Sequence, residues 1–259
     1  MCGLIAVLLA AGAASAMLAS PPAVSYAMKL VTKSDPACKG PREQCSSVTL
    51  RFPVFTKAPT AAGRQALNRT VSVFLLKDFL GKQVKTTDAV IADFFREAAE
   101  ERRVNPEIPP WFLERTVIVA YNARGIVSLR FGEGSFTGGA HPNSWEDLAS
   151  FSAPTGRRLT LKELLVPGFE PKLNVIAERH FRRERGLKPN ADLEAEGFTF
   201  KGGKFSLNDN FMITAKGLAF RFNSYEIAPY VLGPTKLLLP YAEIRHLVRT
   251  TGPLMAVLR

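Results

Sequence analysis

Residues 48–55 (VTLRFPVF) alternate apolar and polar side chains, which predicts a strand, with Pro53 marking an edge or a bulge. The period then changes. Leu67, Val71, Phe74, Leu75 and Phe79 recur at helical spacing and predict a helix that Gly81 ends. A second helix is predicted after a cap at Thr86 or Thr87, with Val90, Ile91, Phe94, Phe95 and Ala98 as its apolar stripe. Pro106, Pro109 and Pro110 break the chain. Residues 111–121 and 126–131 alternate again, and 122–125 can turn between them, so a long hairpin is expected. A further strand is predicted over 144–152. Beyond the Pro154-Thr155-Gly156 turn, Thr160 and Glu163 have the spacing of a capping box. Pro171 opens a third long helix through Leu173, Ile176, Ala177 and Phe181. Short strands are expected over 198–207, 211–214, 218–222 and 237–239, and a last helix over 241–249. Strands in hairpins interleaved with helices predict an α+β fold, with antiparallel sheets and helices packed against them.

The leader and the charge set the compartment. Residues 1–19 carry no charge, hold a long apolar run and contain Ala14-Ser15-Ala16, a small-x-small pattern suited to signal peptidase. They are read as a signal peptide, and the mature chain as periplasmic or secreted. No Lys or Arg precedes the apolar run, which departs from the usual pattern. The formal charge of +11, from 34 basic and 23 acidic side chains, favours anionic partners, and export directs that preference to an envelope rather than to nucleic acid. Cys38 and Cys45 have six residues between them, Gly40 and Pro41 included. In an oxidising compartment they are expected to form a disulfide within a linker spanning 20–47.

Catalytic motifs are mostly missing. The glycines at 132, 134, 138 and 139 precede neither the lysine of a phosphate loop nor a helix, and no nucleophile elbow or zinc-protease motif occurs. No cofactor or metal is expected. The three histidines are His141, His180 and His246, and only His141 sits in an unusual setting, SFTGGAHPNS. Two readings of that stretch follow. In one, His141 is a general base oriented by Glu226, giving a cell-wall-modifying hydrolase. In the other, favoured here, Gly138 and Gly139 permit a special backbone, and His141 and Asn143 belong to a structural motif with Tyr225, Glu226, Pro229 and Tyr230.

Gly138-Gly139-Ala140-His141-Pro142-Asn143, then Thr155-Gly156-Arg157-Arg158-Leu159-Thr160-Leu161, and later Tyr225-Glu226-Ile227-Ala228-Pro229-Tyr230 and Pro240-Tyr241 keep one order along the chain. Together they resemble DUF3298, over roughly 130–250. The preceding region resembles the smaller DUF4163 domain. The resemblance implies lobes at 48–125 and 126–259. It also implies kinship with the outer part of lysozyme-sensing anti-sigma factors and with the accessory region of a peptidoglycan deacetylase. The function it implies is a non-enzymatic envelope-binding domain. Lysozyme as the partner is disfavoured, because lysozymes are commonly basic and this chain is +11. An anionic wall polymer, a lipid surface or an envelope protein fits better. Arg179, Arg182, Arg183, Arg185 and Lys188 crowd one segment and are expected to meet such an anionic surface.

Overall fold

A computed structural model describes residues 23–41 and 44–259, so the leader expected over 1–19 lies outside the described residues. The first sheet has five strands in chain order: β1 (Ser25–Ser34), β2 (Ser47–Lys57), β3 (Phe112–Ala123), β4 (Ile126–Phe136) and β5 (Asn143–Ser152). Neighbours pair antiparallel except β2 and β3, which run parallel over 47–51 and 112–116. The wholly antiparallel expectation is corrected at that one ladder. A parallel pair needs a long crossover, and α1 (Ala61–Leu75) and α2 (Thr87–Val104) supply it. The linker expected over 20–47 is also corrected, because ten of its residues form edge strand β1. The expected disulfide is present and closes the β1–β2 connection, joining Cys38 to Cys45.

Helix α1 shows how local chemistry fixes an element. Thr60 caps its start by accepting from the Gly63 N–H at 2.9 Å, and donates its hydroxyl to the Pro154 carbonyl at 2.6 Å. Leu67, Val71, Phe74 and Leu75 bury one stripe against Val127, Leu129, Phe131 and Phe151 of the sheet. The helix stops at Leu75, short of the Gly81 end expected from spacing. Buried Arg115 meets its last turn, donating to the carbonyls of Leu75 at 2.8 Å and Lys77 at 2.5 Å while pairing with Glu133. Phe79 then leaves the helix to stack on Trp111. Asn68 closes the edge of β2 where β3 no longer reaches it. Its amide accepts from the Phe55 N–H at 2.9 Å and donates to the Phe55 carbonyl at 3.0 Å. Pro53, which has no N–H, lies in the same stretch past the last β2–β3 pair.

The hairpin between β3 and β4 turns on Arg124 and Gly125, at φ 54° and 73°, as a two-residue turn with both residues left-handed requires. The boundary expected between 125 and 126 therefore falls at a hairpin tip inside one sheet. It does not separate two cores, since Phe55 and Leu67 pack with Val127 and Leu129.

A second, three-stranded antiparallel sheet follows: β6 (Phe211–Ile213), β7 (Gly217–Phe222) and β8 (Thr235–Pro240). It is preceded by α3 (Leu161–Leu164) and α4 (Glu170–Glu184) and followed by α5 (Tyr241–Ile244). Thr160 and Glu163 form the expected capping box. The helix expected over 241–249 is shorter, continuing only as a 3-10 turn over Arg245–Leu247. Phe181 of α4 sits at the centre of an aromatic core, with ring centroids 5.0, 5.3 and 5.5 Å from Phe198, Phe205 and Phe200. Those three residues do not form the strand expected over 198–207. Gly202 and Gly203 take left-handed backbone there, and the chain makes a 3-10 turn. The two sheets meet where the buried hydroxyls of Ser128 and Ser150 bind the backbone of Ile213.

Candidate functional site

The loop from β4 to β5 passes through Gly138 and Gly139, at φ 93° and 95°, a backbone that a side chain strains. It delivers His141 to residues 225–230, and the expected packing of these two segments is present. The His141 ring stacks on Tyr230, with centroids 3.8 Å apart and planes within 16°. Its Nδ1 is 2.9 Å from the Pro142 carbonyl, which can only accept, so that nitrogen carries the proton. With the proton on Nδ1, Nε2 faces the Tyr225 hydroxyl at 3.2 Å. The Tyr230 hydroxyl donates to the Pro142 carbonyl at 3.1 Å. Asn143 begins β5 opposite Ser135, and Pro229 leads into the 3-10 turn that carries Tyr230. Tyr225 itself has φ 67° and is 63% exposed. A non-glycine residue held there, with its ring in solvent, is the kind of strain that marks binding sites.

Glu226 does not face His141. Its carboxylate accepts from the Asn223 N–H at 2.8 Å and from the Asn208 side chain at 2.6 Å, closing the turn that presents Tyr225. The pair expected for catalysis is not assembled: no hydrogen bond joins His141 and Glu226 among the described residues.

The supports of this surface were not found from sequence. The Asn223 amide oxygen accepts from the Glu146 N–H at 2.8 Å and from Arg221 Nε at 3.1 Å, and its Nδ2 donates to the Glu146 carbonyl at 3.0 Å. Arg221 is buried, and its Nη1 lies 2.7 Å from the Glu146 carboxylate. The angle there is poor for a hydrogen bond, so the contact acts through charge. Burial pushes the Arg221 guanidinium below its ordinary pKa, and Glu146 opposes that shift. The one sequence signal was an arginine inside the apolar strand GLAFRF.

The basic segment divides. Arg182 pairs with Glu178 at 2.7 Å and donates to the carbonyls of Lys188 and Ala191, holding the loop that leaves α4. Arg185 lies over the Phe198 ring and donates to the carbonyls of Leu232 at 2.8 Å and Gly233 at 3.0 Å, and to the Thr235 hydroxyl. The five-residue anionic surface is therefore corrected. Arg182 and Arg185 serve the fold, and Arg185 anchors the turn that carries Tyr230. Arg179, Arg183 and Lys188 remain exposed, Arg179 beside Glu243 at 3.7 Å. Among the described residues no three His, Cys, Asp or Glu side chains converge to hold a metal.

A mixed five-stranded sheet joined to a three-stranded one, with a Tyr-His-Tyr cluster across the connection in which Tyr225 is exposed and His141 and Tyr230 are half-buried, defines an α+β chain of two linked parts. Residues 162–242 match the family model described as Protein of unknown function (DUF3298), and residues 41–144 match the model described as Deacetylase PdaC. The C-terminal region is thus a DUF3298 region preceded by a PdaC-like one. Two crystal structures share the fold. A DUF3298 family member from Bacteroides fragilis NCTC 9343 superposes with a TM-score of 0.72 at 16% identity, covering 92% of this chain and 98% of that one. A DUF3298 family protein from Pseudomonas aeruginosa PAO1 gives 0.63 at 22% identity, covering 88% and 95%. No curated protein matches. The Gly-Gly-Ala-His segment, which resembled DUF3298 by sequence, lies in the PdaC-like match, while Tyr225 and Tyr230 lie in the DUF3298 match. The aromatic cluster therefore sits on the seam between the two.

Proposed function

We propose that this chain is an exported binding domain of the bacterial cell envelope that holds a wall polymer on the Tyr225–His141–Tyr230 surface without turning it over. The observation that carries the reading is the engagement of His141. Both its ring nitrogens have protein partners, its face is covered by Tyr230, and Glu226 is committed to Asn223 and Asn208. A catalytic histidine needs a carboxylate or similar group to orient it and a substrate hydroxyl or water at its basic nitrogen; here Glu226 is committed elsewhere and the hydroxyl at Nε2 belongs to Tyr225. The exposed Tyr225 ring, beside the half-buried Tyr230, offers instead a rigid apolar face with a polar tip, suited to the faces and hydroxyls of a sugar chain. The envelope context rests on the likeness of residues 162–242 to DUF3298 and of 41–144 to the PdaC deacetylase region, and export on the reading of the uncharged apolar leader as a signal peptide.

The test is co-sedimentation with purified peptidoglycan sacculi, run beside an assay for release of soluble fragments. The expected result is binding without turnover, weakened about ten-fold in a Tyr225→Ala, Tyr230→Ala protein that still unfolds cooperatively. Turnover of the sacculi by the wild type, abolished by His141→Ala, overturns the reading in favour of a hydrolase.

A further inference from the structure

Against the Gly138–Gly139 loop, the end of α2 and the residue that leads into β3, Trp111, frame a cavity of about 420 Å³. Its lining holds Glu97, Glu100 and Glu101 with Phe79, Trp111 and Gly138, and no lysine or arginine, on a chain of net charge +11. Glu97 pairs with Arg96 and Glu100 with Arg103, each at 2.7 Å, while Glu101 has no ion-pair partner among the described residues. Carboxylates alone would be an ordinary solvated helix face.

Trp111 is the independent observation. It is only 5% exposed, and its indole Nε1–H has no hydrogen-bond partner, in a fold where buried donors are otherwise nearly all satisfied. The orphan donor faces the loop that walls the cavity: a Cβ added at Gly138 would lie 4.0 Å from Nε1. Phe79 stacks on the same indole at 5.5 Å, with planes within 17°, and stays 40% exposed. The site thus combines an unpaired negative charge, an aromatic wall that attracts cations, and a buried donor lacking an acceptor.

We infer that this cavity binds a primary ammonium group carried beside a hydroxyl or carbonyl oxygen, the ammonium on Glu101 and Phe79 and the oxygen on Trp111 Nε1–H. A neutral apolar ligand would leave Glu101 unanswered, and an anion would be repelled by it. The envelope offers this chemistry from two sources, a glycan with free amino sugars and a peptide stem with a diamino acid. The inference rests on the envelope reading only for that choice of probes. Oxygen reaches the indole N–H by an outward shift of the loop, whose two glycines leave its backbone free to move.

The chain has two tryptophans, Trp111 and Trp145, so its indole N–H spectrum has an internal control. The ¹⁵N-labelled, disulfide-bonded protein is titrated with a glucosamine tetramer, its fully N-acetylated counterpart and Nα-acetyl-lysine amide, with Trp145→Phe assigning the peaks. The expected result is a saturable shift of the Trp111 indole resonance, with Trp145 unmoved, by one or both amines and not by the acetylated sugar. Glu101→Gln, an isosteric change on a solvent-accessible face, should weaken binding roughly five-fold, as loss of one accessible ion pair does. A shift from the tetramer alone assigns the glycan, and one from the lysine amide alone assigns the peptide. No Trp111 shift with either amine, an equal shift with the acetylated sugar, or unchanged affinity in Glu101→Gln overturns the inference. Sacculus binding is read separately. If it persists while Trp111 stays silent, this site fails and the tyrosine surface stands. If the tyrosine variants bind sacculi as well as wild type while Trp111 still responds, the reverse holds.

Discussion

Ser128 and Ser150 should couple the two sheets energetically. Both are fully buried, and with Ile213 they form a closed ring. The Ile213 N–H donates to Ser150 Oγ at 2.7 Å, and Ser128 Oγ donates to the Ile213 carbonyl at 2.7 Å. Because the Ser128 proton is used in that bond, the 2.8 Å contact between the hydroxyls must be Ser150 donating to Ser128. Two serines thus do for β6 what a neighbouring strand's backbone would do. Ser128→Ala leaves the Ile213 carbonyl and the Ser150 hydroxyl without partners. At ~1–3 kcal/mol for each stranded buried group, a loss of about 2–4 kcal/mol is expected after partial rearrangement. Ser150→Ala strands the Ile213 N–H alone and should cost about 1–3 kcal/mol. The double variant removes the orphaned hydroxyl as well, so it should fall short of the sum of the singles by roughly 1 kcal/mol. Urea unfolding followed by tryptophan fluorescence reads all three. With a slope of ~2–3 kcal/mol per molar, a 2 kcal/mol loss moves the midpoint by about 0.7–1 M. Single variants within about 0.2 M of wild type, or strict additivity, would refute the hydroxyl ring as the joint.

Three further outcomes are expected. Replacing Cys38 and Cys45 with serine should lower stability by ~2–3 kcal/mol, the loop-closure value for so short a ring, and reducing agent should reproduce the shift in wild type but not in the variant. Gly139→Ala, in open space but at φ 95°, should cost about 1–2 kcal/mol through backbone strain alone, measured by the same urea midpoint. The Arg157 guanidinium beside Glu163, helped by Thr160, holds that carboxyl at about 2, below its ordinary 4.5. A lowered folded-state value gives stability that is present above the unfolded value and lost as pH falls through the folded one, so wild type should lose stability from about pH 5 down to about pH 2 more steeply than Glu163→Gln, as read by thermal melts at each pH.

What was legible in the sequence was local. The Thr86 cap, the Thr160 and Glu163 box and the Phe94 and Phe181 stripes are decided within one or two helical turns, and they appear where spacing put them. The turn at 122–125 likewise carries its own signal in Gly125. Readings failed where the deciding partner was far along the chain. Strand β1 is an exposed edge, so its side chains carry no buried alternation, and only pairing with β2 makes it a strand. The parallel ladder joins residues 47–51 to 112–116 across two helices that give no hint of strand direction. Phe198, Phe200 and Phe205 look like a strand because all three point inward, yet they converge on one side chain of α4 rather than on a sheet.

The candidate surface divides along the same line, for a reason built into long polar side chains. Stacking of His141 on Tyr230 was within reach because both lie in unusual, compact segments. The arginines were misjudged because sequence shows where a guanidinium starts and not where it ends. Arg185 begins among solvent-facing charges on α4 and ends on the carbonyls of Leu232 and Gly233, directly after Tyr230. Asn223 and Asn208 similarly serve the Tyr225 turn while belonging to no motif. The aromatic cluster is therefore held from two sides: by the Asn–Glu226 closure under Tyr225 and by Arg185 beneath the Tyr230 turn. A surface over-determined in this way can keep Tyr225 at a positive φ with its ring in solvent. That is pre-organisation, and it is the property a binding face needs if ordering its side chains is not to consume the affinity it gains.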